Sequence, residues 1–188
     1  MEKIKEFFSE FVTIGTPDWD IFSSKLEQAA FPKKSVILEQ GKKERFLSFL
    51  EKGIIRFNIP KVDYDFTFAF AFENTFFSAY DSFLTQTGSL YNIECITDCV
   101  LHRISYEDLE FVYANTSVGD RIGRKVAENL YVKKMKRERS LLEDTAKKRY
   151  MDLLSEQPHL IKHIPQKYLA SYIGIRPQSL SRIRKIIS

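Results

Sequence analysis

Amide, hydroxyl and guanidinium side chains recur along one side of a predicted helix near the end of the chain. Gln178, Ser179 and Arg182 lie there at helical spacing, and Leu180 and Ile183 form the opposite, apolar side. A guanidinium group bonds bidentately to guanine, and an amide does the same to adenine. The pattern favours readout of base edges in the major groove of DNA, with the three polar side chains as candidate base readers.

Two short helices separated by a glycine must position these side chains. Pro165 suits the first turn of a helix, because its missing N–H costs nothing there. Gly174 stands where the chain leaves that helix with a positive φ, and Pro177 opens the next one. This order predicts a helix-turn-helix over 164–187. An ordinary helical hairpin with a polar surface is the alternative.

The charge distribution supports a polyanionic partner for the last part of the chain. Residues 1–119 hold 12 Lys and Arg against 18 Asp and Glu, a net charge of −6, whereas residues 120–188 hold 17 against 7, a net charge of +10. A basic segment of this kind favours contact with nucleic acid, and a solvated helix surface is the alternative. The candidate phosphate contacts are Gln166, Lys167, Ser181, Arg184 and Lys185.

The composition is that of a globular protein without a membrane span. Of the 188 residues, 44% are hydrophobic, 29% are charged and 14% are aromatic, and no stretch approaches the 18 apolar residues of a membrane helix. The first residues carry charges throughout, which favours an amphipathic helix over a signal peptide. We therefore expect a cytoplasmic location.

The residues between Ser35 and Ile104 predict a strand-rich block. Its clearest signal is the alternation of aromatic and small or polar residues over 64–72, which predicts a strand with its aromatic face buried. Several short strands at intervals of roughly ten residues indicate an antiparallel barrel or sandwich. With helices before and after the block, the fold class is α+β.

Helical patterns fill the rest of the chain. We predict helices over 2–12 and 17–30, a capped helix start at Ser105, and further helices over about 117–140 and 143–157. The helix over 117–140 has a narrow apolar stripe that suits either the barrel or a second copy of the helix, and we favour self-pairing. The proposed pairing residues are Val118, Ile122, Val126 and Leu130.

Metal and redox chemistry has little support in the sequence. Cys95 and Cys99 lie four residues apart, which suits a metal or redox pair, but two small buried residues are the simpler interpretation. A cupin-type metalloenzyme needs several His ligands, and the strand-rich block contains a single one, His102. We expect neither an enzyme nor a cofactor.

The chain resembles the cyclic-AMP receptor/fumarate-nitrate regulator family, known as Crp/Fnr. The resemblance covers nearly the whole chain, and its most specific part matches a short subgroup of the family. The matching residues are Pro165, Lys167, Leu169, Ala170, Tyr172, Ile173, Gly174, Ile175, Pro177, Ser179, Leu180, Ser181, Arg182, Ile183 and Arg184.

The resemblance implies an N-terminal cyclic-nucleotide-binding-like β-roll (a double-stranded β-helix or jelly roll), a long dimerisation helix and a C-terminal helix-turn-helix. The implied domains are 1–116, 117–140 and 141–188. It also implies a homodimeric transcriptional regulator that binds a palindromic operator in double-stranded DNA. RNA polymerase and a small-molecule effector are further candidate partners.

Two family features are missing from the sequence. The chain ends soon after the second helix, so we expect a helix-turn-helix without a β wing. Cyclic-nucleotide binders of the family carry Gly-Glu-Leu and then Arg-Ser/Thr-Ala, but this chain has Phe77-Ser78-Ala79 and Gly88-Ser89-Leu90 in these regions. A phosphate buried without a cation would be costly, so we expect no tight binding of cyclic AMP.

The aromatic residues of the strand-rich block suggest a different ligand. They are able to enclose an apolar effector, although an ordinary aromatic core is the alternative. The candidate pocket residues are Phe68, Phe70, Phe77, Tyr80 and Tyr91. The sequence therefore leaves open a regulator with a degenerate effector domain and a sensor for a small apolar molecule.

Overall fold

A computed structural model describes residues 1–62, 64–156, 158 and 160–187 of the chain, without the side chains of Leu160, Ile161 and Ile187. These residues form two compact units. The first contains Met1–Phe57 and Phe70–Asn129, and the second contains Asn58–Ala69 and the described residues from Leu130 onward.

Two four-stranded sheets carry the strand-rich block, as the sequence predicts. One has the order β1-β8-β3-β6 and the other β2-β7-β4-β5. In the first sheet, β8 pairs antiparallel with both β1 and β3. The strands are β1 (Glu27–Phe31), β2 (Val36–Leu38), β3 (Phe46–Lys52), β4 (Ile54–Pro60), β5 (Asp65–Phe72), β6 (Thr75–Phe77), β7 (Asn92–Cys95) and β8 (Cys99–Ser105).

The first unit adds short helices to this roll. They are α1 (Glu2–Ser9), α2 (Thr16–Ser24), α3 (Tyr80–Thr85) and α4 (Tyr106–Asn115). Phe8 of α1 stacks on Phe76 with ring centroids 5.6 Å apart, which closes one side of the core. The Ser105 hydroxyl accepts a hydrogen bond from the Asp108 amide at 3.0 Å, so the predicted cap of α4 is confirmed.

Two sequence-based predictions about the region before α3 are wrong. The helix predicted over 17–30 ends at Ser24, because Glu27–Phe31 pairs with β8 as a strand. In β5, the most buried side chains are Thr67 and Ala71, whereas the aromatic face is half-buried. The alternation therefore predicts the strand correctly but assigns burial to the wrong face.

Part of the predicted pairing stripe on the long helix α5 (Gly119–Glu143) is buried within a single chain. Ile122 and Val126 are only 8% and 5% exposed within a single chain. Together with Phe22 and Leu109 they line a small cavity of the first unit, and Val118 and Leu130 are half-buried. The predicted stripe thus packs largely inside one protomer, which was the alternative to self-pairing.

The second unit contains the C-terminal helices. They are α6 (Ala146–Glu156), α7 (Leu160–His163), α8 (Gln166–Ile173) and α9 (Pro177–Ile187). Their buried side chains are Tyr150, Leu153, Ile164, Leu169, Ala170, Ile173 and Leu180. None of the helices within the described ranges combines the length and apolarity needed to cross a bilayer.

Candidate nucleic-acid interface

The turn between α8 and α9 is built around Gly174. This residue has a φ of 81°, in the left-handed region that suits glycine. The Ile175 amide donates to the Ala170 carbonyl at 2.9 Å, and the Gly174 amide donates to the Ser171 carbonyl at 3.0 Å. This Schellman-type closure ends α8 and redirects the chain into α9.

Helix α9 presents its predicted base readers to solvent. Leu180 is completely buried and anchors α9 in the second unit. Gln178, Ser179 and Arg182 are all exposed, and Arg182 makes no ion pair within the described residues. An anchored helix with an exposed amide and an exposed guanidinium group has the chemistry needed to contact base edges.

The predicted phosphate contacts divide into two groups. The Gln166 side-chain amide donates to the Ser181 hydroxyl at 2.6 Å, and this hydroxyl donates to the Pro177 carbonyl at 3.1 Å. These two side chains therefore bind one another and tie α8 to α9. Lys167, Arg184 and Lys185 instead extend exposed from the helices.

Sequence reasoning missed two arginines that contact the carboxyl end of α8. A guanidinium N–H of Arg137 donates to the Tyr172 carbonyl. Arg149 donates through Nε to the Ile173 carbonyl at 2.8 Å. Both arginines belong to basic helical runs that resemble solvated surface in the sequence, so only the three-dimensional contacts identify them.

The tip of the β4–β5 pair, residues 58–69, also contacts α8. The Thr67 amide donates to the Ser171 hydroxyl at 2.8 Å, and this hydroxyl donates to the Asp65 carbonyl at 3.3 Å. The sequence contains no signal for this contact, because more than a hundred residues separate the two segments.

Comparisons with solved structures find chains of similar fold that cover most of this chain. The c-di-GMP-responsive global regulator CLP of Xanthomonas campestris superimposes with a TM-score of 0.73 at 16% identity, covering 92% of this chain and 91% of that chain. A putative transcriptional regulator of the Crp/Fnr family from Eubacterium rectale gives 0.72 at 15% identity, with coverages of 96% and 87%.

FixK2 from Bradyrhizobium japonicum gives a TM-score of 0.70 at 14% identity, covering 86% of this chain and 84% of that chain. The chain has the Crp/Fnr fold. No protein-family model matches the sequence, and no curated protein matches it by sequence.

In this Crp/Fnr fold, the predicted effector-pocket residues have different neighbours. Phe77 and Tyr91 each contact Phe57 with ring centroids 6.2 Å apart. Phe70 lies beside Phe72, and Phe68 belongs to the second unit. Of the five predicted residues, only Tyr80 lines the cavity of about 30 Å³ in the first unit. That volume suits a water-sized molecule and is far below the roughly 300–1,000 Å³ of most ligand sites.

A buried carboxylate, Glu44, is bound by backbone amides of the roll. Glu44 accepts hydrogen bonds from the backbone amides of Arg45 at 3.0 Å, Phe46 at 3.1 Å and Ala79 at 3.4 Å. Arg56, which is only 2% exposed, is bound to Glu94. The Crp/Fnr roll of this chain therefore presents a carboxylate beside Ala79 and pairs Arg56 with an acidic side chain.

The two cysteines lie in the core of the roll. Cys95 and Cys99 are both buried, and the Cys99 thiol donates to the Thr97 carbonyl at 3.3 Å. The interaction between the two neighbouring thiols is the main cause that raises the pKa of Cys95 and lowers the pKa of Cys99. Within the described part of the chain, no three His, Cys, Asp or Glu side chains are grouped closely enough to hold a metal ion.

Glu44 should make stability depend on pH. Burial raises the pKa of Glu44 above its ordinary 4.5, although its hydrogen bonds to backbone amides oppose the shift. The folded state therefore binds this proton more tightly than the unfolded chain does. Its contribution to stability is fully present below pH 4.5 and is lost as pH rises through the folded-state pKa.

We expect the wild type to lose stability relative to Glu44→Gln as pH rises from 4.5 towards neutrality. Denaturant unfolding of both proteins at several pH values measures this difference, and Glu39→Gln on the exposed surface is the control. Parallel pH profiles for the wild type and Glu44→Gln would contradict the prediction.

Proposed function

We propose that the chain is a sequence-specific DNA-binding regulator of transcription. The observation that carries this proposal is the exposed polar side of α9, which follows the glycine turn of a helix-turn-helix. The net charge of +10 in residues 120–188 supports binding to a polyanion. Structural neighbours that are described as regulators agree with this function.

Specific roles follow for the exposed side chains. Gln178, Ser179 and Arg182 read base edges in the major groove. Lys167, Arg184 and Lys185 contact phosphates and set the register without reading sequence. In contrast to the sequence-based assignment, we propose that Gln166 and Ser181 mainly hold α8 against α9, because their hydrogen bond already engages both side chains.

Selection of bound fragments from random duplex DNA tests the proposal. Salt at about 150 mM suppresses non-specific phosphate binding. Enrichment of a roughly palindromic motif is the expected result. Failure of folded protein to enrich any motif would refute constitutive sequence-specific binding.

A cupin-type metalloenzyme is the alternative from another class of function. Metal analysis of the purified protein distinguishes the enzyme from the regulator.

We further propose that the protein is a homodimer that pairs along an outer face of α5. Tyr131, Met135 and Leu142 are 65%, 43% and 81% exposed. Their spacings of four and seven residues match one seam of a coiled coil. This face replaces the one predicted from Ile122 and Val126, and an apolar seam on a basic helix is best covered by a second copy.

Met135→Glu should weaken the dimer, because it places two carboxylates in an apolar seam. We expect the dimer dissociation constant to rise at least about tenfold, as measured by sedimentation equilibrium. Lys133→Gln is the matched control, since it makes the same change of charge at an exposed position about 200° around the helix. Equal dissociation constants for the two variants would exclude Met135 from the interface.

We also propose that the effector domain does not bind cyclic AMP. A carboxylate lies beside the Ala79 amide, and Arg56 is already engaged by Glu94, so a phosphate placed here would meet negative charge. Isothermal titration of folded protein with cyclic AMP or cyclic GMP should show no saturable heat. Saturable binding in the low micromolar range would overturn this proposal. RNA polymerase and another effector remain candidate partners.

A further inference from the structure

All four carbonyl groups at the carboxyl end of α8 have hydrogen-bond donors. The last turn of a helix leaves four carbonyls without partners inside the helix. The Gly174 turn provides amides for Ala170 and Ser171, and two arginine side chains provide donors for Tyr172 and Ile173. Half of the cap of α8 is therefore supplied by side chains from other helices.

Arg149 joins the carboxyl ends of two helices. Its Nε donates to the Ile173 carbonyl of α8 at 2.8 Å. Its Nη1 donates to the Asp144 carbonyl at 2.5 Å and to the Ser140 carbonyl at 3.4 Å, at the carboxyl end of α5. Because a guanidinium group is rigid and planar, these bonds fix the separation and direction of the two helix ends.

Arg137 makes a second connection from α5 to the same end of α8. Its guanidinium group donates to the Tyr172 carbonyl and lies 3.9 Å from the centre of the Tyr172 ring. Burial lowers the pKa of Arg137, and the negative end of the α8 dipole favours the nearby positive charge. Within the described residues, both arginines donate hydrogen bonds to carbonyl oxygens.

We propose that Arg149 is a positioning residue that fixes the helix-turn-helix relative to α5, with Arg137 as its support. This inference rests on the proposed function, because it assigns the arginines a role in operator recognition. If α5 pairs two protomers, the orientation of each α9 relative to α5 sets the spacing between the two DNA half-sites. The arginines would then determine which half-site spacing the protein accepts.

The first test requires no DNA. Amide residual dipolar couplings of the whole chain report whether α5, α8 and α9 belong to one rigid body. We expect one alignment tensor to fit all three helices in the wild type and in Lys147→Met, and two tensors to be needed in Arg149→Met. Lys147 is an exposed residue of α6, so its substitution removes the same charge without removing the contacts to α5 and α8.

Arg149→Lys is the second variant, in case Arg149→Met fails to fold. A lysine keeps the charge but lacks the planar fork that reaches both helix ends. We expect Arg149→Lys also to require two tensors. A single tensor with unchanged magnitude in a folded Arg149 variant would overturn the proposal.

The second test compares a single half-site with palindromes of different spacing. Arg149→Met should bind one half-site within about twofold of the wild type, because its α9 is unchanged. Its affinity for the preferred palindrome should fall at least about tenfold, because the two half-sites are no longer engaged together. Its preference among spacings should fall below about threefold.

A purely structural role for Arg149 would reduce half-site and palindrome affinity equally and leave the spacing preference intact, which would overturn the inference. If the wild type binds no DNA, the proposed function fails, and the dipolar couplings still decide whether Arg149 orients α8 relative to α5.

Discussion

Replacement of Gly53 by alanine is expected to lower the free energy of unfolding by at least about 3 kcal/mol. Gly53 lies between β3 and β4 with a φ of 111°, which side chains with a Cβ rarely adopt. An added Cβ would lie 2.6 Å from the Asp98 carbonyl oxygen and 2.7 Å from the Cys99 Sγ. Cys99 belongs to β8, which is paired with β1, so these atoms cannot move away cheaply. The backbone strain and the steric overlap therefore add.

Denaturant unfolding measures this loss, and Gly41→Ala separates its two causes. Gly41 has a φ of 85°, but nothing lies within 4 Å of its added Cβ. Gly41→Ala should therefore cost only the backbone strain, about 1–2 kcal/mol. Equal losses at the two positions would show that the overlap with Asp98 and Cys99 has no energetic consequence.

Arg182→Ala is expected to lose about 1–3 kcal/mol of discrimination at one base pair of each half-site. The reason is that Arg182 is an exposed guanidinium on the polar side of α9, where a bidentate bond to guanine distinguishes that base from the others. Competition binding measures the effect with the selected operator and with variants changed at single positions.

Lys185→Ala is the control for Arg182→Ala. Lys185 is exposed on the same helix, and as a phosphate contact it should weaken binding to all sequences alike and reduce the salt slope by about one. Unchanged base preferences in Arg182→Ala would remove Arg182 from the base readers. A new base preference in Lys185→Ala would show that the two roles are exchanged.

The helix-turn-helix was the part of the fold most open to prediction, because its signals are local. Gly174 is required by the backbone of a single turn, and Leu180 repeats the apolar spacing of one helix. In contrast, Glu27–Phe31 becomes a strand through pairing with β8, which is about 70 residues away in the chain. Local patterns contain no information about such a partner, so the predicted helix extended too far.

Burial was harder to predict than secondary structure. The apolar stripe that contains Ile122 and Val126 suits either a roll or a second helix, and the distinction depends on which surfaces meet. Similarly, the alternation in β5 shows that two faces differ but does not show which face is covered. Arg149 is one of many basic residues in the second half of the chain, and its role depends on the carbonyls around it.

The hydrogen bond between Thr67 and Ser171 has a consequence for the order of folding. Helices α8 and α9 are neighbours in the chain, so their contact closes only a short loop, whereas this bond closes a loop of 104 residues. Long loops cost more entropy to close and form later. The pair of helices should therefore assemble first and receive residues 58–69 afterwards. A fragment that begins at Leu130 would contain the helices but leave the Ser171 hydroxyl without Thr67.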